Sequence, residues 1–234
     1  MLLLEMDLAR FIQIYIVQGL IGLFYIYMSY KVLRRDKKNL HLALCGFYVC
    51  VGLGVLINII YASIFDETLV RLLHFMTYFL FCFCQVFLLI FVLILTKSEN
   101  IITLRIQLIL ISSFGLLLSV LWFIPNGITI NETTNWKPVW SWEFLIYSYI
   151  VCTLFTFGPL IYYSGKIYFK FETMELRKKW ICFIIGIMAY YFVYYGTSLS
   201  NTLNDSTFRL IWSIISLIAI PTTYLIYYGV GREL

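Results

Sequence analysis

Long apolar runs separated by short polar breaks dominate the chain. Seven of them, at about 10–32, 41–64, 72–95, 102–124, 144–166, 180–200 and 208–230, are long enough to be membrane-spanning helices. About 20 mainly apolar residues at 1.5 Å rise each cross roughly 30 Å of hydrocarbon. The ten-residue alternation of an outer-membrane barrel is absent. The pattern predicts an all-α polytopic membrane protein, a single seven-transmembrane helix bundle over residues 1–234. The first run does not read as a cleavable signal peptide: Glu5 and Asp7 make its flank acidic, and the run is too long. The segment 125–143 is the longest loop, so no large soluble domain is expected.

Composition agrees. Hydrophobic residues make up 62% of the chain and charged ones 12%, against about 25% charged in soluble domains. That excludes a soluble enzyme, a nucleic-acid-binding domain and a disordered chain. The net charge of +5 is split into blocks between the apolar runs, which sets topology. Thirteen of the 17 basic residues fall in the 31–41, 96–105 and 166–179 segments and the tail, and four (Arg10, Arg71, Lys137, Arg209) on the other side. The positive-inside rule then places the N-terminus outside and the C-terminus inside. The sequons at Asn131 and Asn204 both fall on the expected outer side. A plasma-membrane location and contact with lipid follow as expectations.

The spans lack ionisable chemistry. All 12 carboxylates lie in loops or at helix ends, which disfavours proton pumping and sodium coupling. The seventh span has no lysine for a retinal Schiff base. His74 has no serine-protease, aspartyl-dyad or His-Glu-x-x-His company. No enzymatic activity, cofactor or metal is expected. All six cysteines sit within spans and imply no disulfide framework; Cys82 and Cys84, two apart on a helix, are expected to point to different faces.

What remains is a neutral polar set weighted toward the outer half. It comprises Gln13, Gln18, Asn58, the trio His74, Thr77 and Gln85, the tyrosines Tyr190, Tyr191, Tyr194 and Tyr195, and Trp212, Ser213 and Ser216. One reading is a ligand pocket around His74, Gln85, Asn58, Tyr194 and Ser213. The other is interhelical hydrogen bonding with an aromatic belt at the interface. Trp136, Trp140 and Trp142 of the long loop fit the headgroup layer, or a lid over the bundle mouth. Pro159 and Pro221 lie inside spans five and seven, where each favours a kink.

Two halves of the chain look loosely alike. Tyr27-Met-Ser-Tyr-Lys31 matches Tyr162-Tyr-Ser-Gly-Lys166, and Asp66-Glu-Thr-Leu-Val-Arg71 matches Asp205-Ser-Thr-Phe-Arg209 with a gap. The pattern suggests a 3+1+3 repeat. The last third, with Arg177-Lys-Lys-Trp180, Leu199-Ser-Asn-Thr-Leu-Asn204, Phe208-Arg-Leu-Ile-Trp-Ser213 and Tyr227-Tyr-Gly229, resembles the seven-helix sensor regions at the N-terminus of some prokaryotic histidine kinases. The resemblance implies a sensor that binds a small or lipophilic ligand in the bundle. Because no kinase or cyclase follows Leu234, the signal is expected to pass to a separate partner. Pro221-Thr-Thr-Tyr224 is similar to an element of eukaryotic seven-helix receptors, but Ile220 replaces their Asn. The alternatives are a 3+1+3 small-solute transporter, for which the Pro-Gln pairs of the PQ-loop carriers are missing, and a non-catalytic membrane scaffold.

Overall fold

A computed structural model describes residues 12–231. The terminal charges Glu5, Asp7, Arg10, Arg232 and Glu233 lie outside the described residues, and so does the Gln13 side chain. Seven helices are long and apolar enough to cross a membrane: α1 (Ile14–Leu33), α2 (Asn39–Tyr61), α3 (Glu67–Lys97), α4 (Leu104–Phe123), α5 (Trp142–Lys170), α6 (Met174–Leu203) and α7 (Ser206–Val230). The chain is an integral membrane protein. Helix ends gather into two sets. The hairpin end carries the α2–α3 and α6–α7 turns and a two-stranded antiparallel ribbon, β1 (Ile128–Thr129) and β2 (Val139–Trp140), with Ile128 opposite Trp140. The basic end carries the α1–α2, α3–α4 and α5–α6 links, with its cations in the first link and on the helix turns that flank the other two.

Polar caps carry several helices beyond their apolar runs. Asp66, Ser141, Thr173 and Asp205 each accept the backbone N–H three residues on, satisfying a donor that the helix itself leaves open. Hence α3 has 31 residues, about 45 Å long at 1.5 Å per residue, and projects into the headgroup layers at its ends. Helix α3 is also the most enclosed. It packs on α2, α4 and α5, and its side chains reach α6 through Tyr78 and Phe91. The outward faces carry exposed Leu20, Leu23, Leu116, Leu154 and Phe169, as suits a lipid-facing surface. The basic end has aromatic partners for its cations: Lys31 stands over Tyr27 and Tyr227, Lys97 over Tyr163, and Arg177 over Tyr168.

The prolines are absorbed by changes of helix winding. Pro159 has no N–H to give, and the turn before it widens to a π turn over Thr153–Phe157. The Gly158 N–H accordingly reaches back five residues to the Thr153 carbonyl. In α7 a tightened 3₁₀ turn, Ser216–Ile218, precedes Pro221, and the Ala219 N–H bonds the Ser216 carbonyl.

Helices α6 and α7 approach backbone to backbone at two glycines. A Cβ built on Gly186 would stand 2.9 Å from Ile226 N and 3.0 Å from the Thr222 carbonyl, and one on Gly229 would stand 2.6 Å from the Lys179 carbonyl. Gly165, in contrast, faces open space. Gly186→Ala is expected to lower the thermal midpoint of the detergent-purified protein, by about 1–3 kcal/mol of stability. Gly165→Ala is expected to match or exceed the unaltered protein, because it removes backbone freedom without a clash.

Candidate functional site

The long loop is a folded plug. Asn131 caps the turn 132–134 by accepting the Thr134 N–H, while Thr134 Oγ1 accepts the Asn131 N–H. Asn135 and Trp136 then take left-handed conformations (φ 51° and 55°) that turn the chain back. This sets β2 so that Trp140 points into the bundle, 4% exposed. Its ring lies edge-on to Tyr78 at 4.5 Å and against Phe144 at 5.1 Å. Its indole Nε1 donates to His74 Nε2 at 3.0 Å. From outside, Arg209 of α7 donates to the Pro138 carbonyl at 2.6 Å, and the Ser141 N–H bonds the Gly127 carbonyl.

These contacts fix the state of His74. An indole nitrogen can only donate, so Nε2 must be the bare, accepting nitrogen. The ring proton therefore sits on Nδ1, which lies 2.9 Å from the Tyr61 hydroxyl of α2. Only the neutral imidazole satisfies this arrangement, since a proton on Nε2 would face the indole N–H.

Beneath the plug a polar chain runs inward. Tyr78 stacks on Tyr194 of α6, and their hydroxyls share a hydrogen bond of 2.5 Å. The thiol of Cys82 donates to the Tyr194 hydroxyl at 3.2 Å, and Cys152 of α5 lies 3.4 Å from the same oxygen. One turn deeper, Thr156 Oγ1 meets Gln85 Oε1 at 2.9 Å, donates to the Cys152 carbonyl and accepts from the Tyr191 hydroxyl. Thr156 lies within the π turn of α5. Beside it, Thr153 and Tyr149 of α5 are hydrogen-bonded to the Tyr195 hydroxyl and carbonyl respectively. The chain thus couples the hairpin, α2, α3, α5 and α6.

The five residues read as a pocket from sequence do not form one group. His74, Tyr194 and Gln85 lie along this chain at successive depths. Asn58 is paired instead with Gln18 of α1. Ser213 sits in α7, where its hydroxyl bonds the Leu210 carbonyl of its own helix. The trio on α3 also divides: Thr77 Oγ1 is buried without a hydrogen-bond partner, while His74 turns to the hairpin and Gln85 to α5. His41, at the start of α2, is a second buried histidine, with neither ring nitrogen paired. Cys82 and Cys84, expected on different faces, both reach α6, at Tyr194 and Tyr190. Trp140 leaves the headgroup layer for the interior, Trp136 packs edge-on against Phe65, and Trp142 is exposed.

Sequence reasoning placed Trp140 in the headgroup layer or a lid without singling it out from Trp136 and Trp142, gave Cys152 no role, and missed Tyr61, Tyr78 and Thr156. A signal for the ribbon that positions Trp140 existed in Ile128-Thr-Ile130 and Val139-Trp140, short β-branched and aromatic stretches flanking turn-forming residues. Among the described residues no group of three or more His, Cys, Asp or Glu side chains could hold a metal ion. Two clefts stand out, and neither is lined by any of the five residues. One, about 220 Å³, lies at the hairpin end between α3 and the α4–β1 link; the other, about 260 Å³, is an apolar groove between α1 and α7.

His74→Leu and Trp140→Phe are each expected to lower the thermal midpoint, since each leaves a buried polar atom unpaired at a cost of about 1–3 kcal/mol. The double variant removes both atoms and is expected to lose less than the sum of the two. Strictly additive losses in the melting series would show that the bond does not join hairpin and bundle.

No protein-family model, no curated protein and no solved structure matches this chain.

Proposed function

We propose that the protein is a receptor- or sensor-like membrane protein without enzymatic activity. In this reading the N-terminus and the hairpin face outward, the basic end faces the cytoplasm, and the plasma membrane is its site. A small or lipophilic ligand acts at the hairpin end, and a separate partner reads the change at the basic end. One observation carries the reading, a contiguous set of contacts: Trp140 bonds His74 and packs edge-on to Tyr78, Tyr78 bonds Tyr194, and Cys152 meets Tyr194 with its thiol and Thr156 with its carbonyl. The Trp140 plug is joined to α3 and thence to the π turn of α5, an irregularity frequent at functional sites. The 3+1+3 repeat belongs to the same proposal. It is supported by the position of α4, which packs on α3 and α5 between two three-helix sets.

A scaffold reading has one observation in its favour, the filled interior around His74, Tyr194 and Gln85, all buried. The two readings separate in a single experiment. Purified protein in nanodiscs is titrated with a panel of lipophilic compounds while its thermal midpoint is followed, alongside Trp140→Ala and Thr156→Val. A receptor is expected to show at least one compound that shifts the midpoint, with the shift altered in Trp140→Ala. It is also expected to show ligand-dependent crosslinking to a stoichiometric partner at the basic end, lost in Thr156→Val. Partner capture indifferent to every compound and to both variants supports the scaffold. Robust solute uptake into proteoliposomes of the purified protein would overturn both in favour of a carrier.

A further inference from the structure

Arg71 is one of the few cations at the hairpin end, and its surroundings are unusual for an exposed arginine. Glu67 lies one turn earlier on α3, in the order that favours an i,i+4 ion pair, yet the two are not paired: among the described residues the ion pairs are Lys38–Asp36 and Lys179–Glu175. Asp66 is occupied as the helix cap. Arg71 instead turns toward α4, with its guanidinium carbon 5.6 Å over the Trp122 ring. That contact holds the side chain while leaving its planar N–H fork for hydrogen bonding.

The fork lies at the cleft between α3 and the α4–β1 link. Phe75, Trp122, Phe123, Pro125 and Asn126 are among the lining residues, and Arg71 is the only charged one. No carboxylate lines the cleft. Phe123 and Trp122 are exposed, and so is Asn126 just past the end of α4. One cation, an amide and an aromatic wall therefore meet where a helix leaves the hydrocarbon. At about 220 Å³ the cleft is smaller than the roughly 300–1,000 Å³ of sites that enclose a drug-sized molecule. It has room for a charged headgroup whose chains remain in the bilayer.

We propose that this cleft is a binding site for the phosphate or carboxylate of an anionic amphiphile, with Arg71 as the bidentate anchor and Trp122 as its aromatic backing. The paired N–H fork matches two oxygens of such a group. Phe123, the exposed ring of the lining, is placed to meet the first part of its tail. The site borders the Trp140 plug, sharing Gly127 and Ile128 of its ribbon, but its occupancy is measurable whether or not the protein signals.

Native mass spectrometry of the full chain, titrated with phosphatidylglycerol and in parallel with phosphatidylcholine, tests this directly. The unaltered protein is expected to retain one more phosphatidylglycerol than Arg71→Gln at matched lipid concentration. Half-saturation of that extra site should rise about tenfold in the variant, the loss of a charge-assisted bond pair. Lipid held by the basic end is common to both proteins and cancels. Asn126→Asp keeps Arg71 but places a like-charged carboxylate at the rim, at a left-handed position that Asp tolerates. It is expected to weaken retention as well, so the site remains testable if Arg71→Gln folds poorly. Inorganic phosphate distinguishes the sources: displacement of the lipid at millimolar concentration identifies a free-anion site, and resistance identifies a lipid headgroup. Equal retention of the two lipids, or a preference unchanged in both variants, would overturn the proposal.

Discussion

Hydrocarbon gives a polar atom nothing to bond with, so polar groups between these helices depend on one another. The hydrogen bond from Trp140 to His74 shows what this constraint does to the fold. An indole whose sequence context fits the headgroup layer is drawn inward by an acceptor on α3 and two aromatic rings. Once it is there, β2 must follow, the link 125–141 must close as a ribbon, and Arg209 of α7 meets the Pro138 carbonyl. Deeper in the bundle the same rule arranges tyrosine hydroxyls against thiols, hydroxyls and carbonyls rather than against water. Helix α3 becomes the axis because it supplies His74, Tyr78, Cys82, Cys84 and Gln85 within three turns.

The seven helices were legible because length and apolarity of a span are properties of a local window. Their ends were less so: hydropathy stops where polar residues begin, but Asp66 and Thr173 start their helices outside the apolar runs. The site was legible only in part, and the reason is the same for each failure. A one-dimensional pattern marks a residue as polar and within a span, without saying which neighbour satisfies it. Asn58 and Ser213 carried the same mark as His74, yet one found an amide on α1 and the other a carbonyl of its own helix. Tyr61, Tyr78 and Cys152 were hidden because tyrosine and cysteine in an apolar run look like core, and only the third dimension reveals their hydroxyl and thiol contacts.

Winding irregularities complete the picture. A proline within a span forces the chain either to bend or to change its hydrogen-bond register. In α5 the register change falls beside Cys152, Thr153 and Thr156, three residues joined to tyrosines of α6. The polar chain from the hairpin therefore ends at a stretch of backbone that is already out of regular α geometry. Its side chains hold that stretch against α6.

Helix α7 is gripped at two places of different character. Its first half is tied to the hairpin by Arg209 and to α6 by Trp212, whose indole bonds Thr197 and whose ring packs over Gly196. Its second half is set flush against α6 at Gly186 and Gly229. The tightened turn Ser216–Ile218 lies between them. The helix is in effect two levers on a common joint: a side-chain clasp holds the arm at the hairpin end, and a backbone seam that cannot slide without a steric clash holds the arm at the basic end. Force applied to the hairpin would be borne first by the arm that Arg209 ties to it, and the joint sets how much of it reaches the seam.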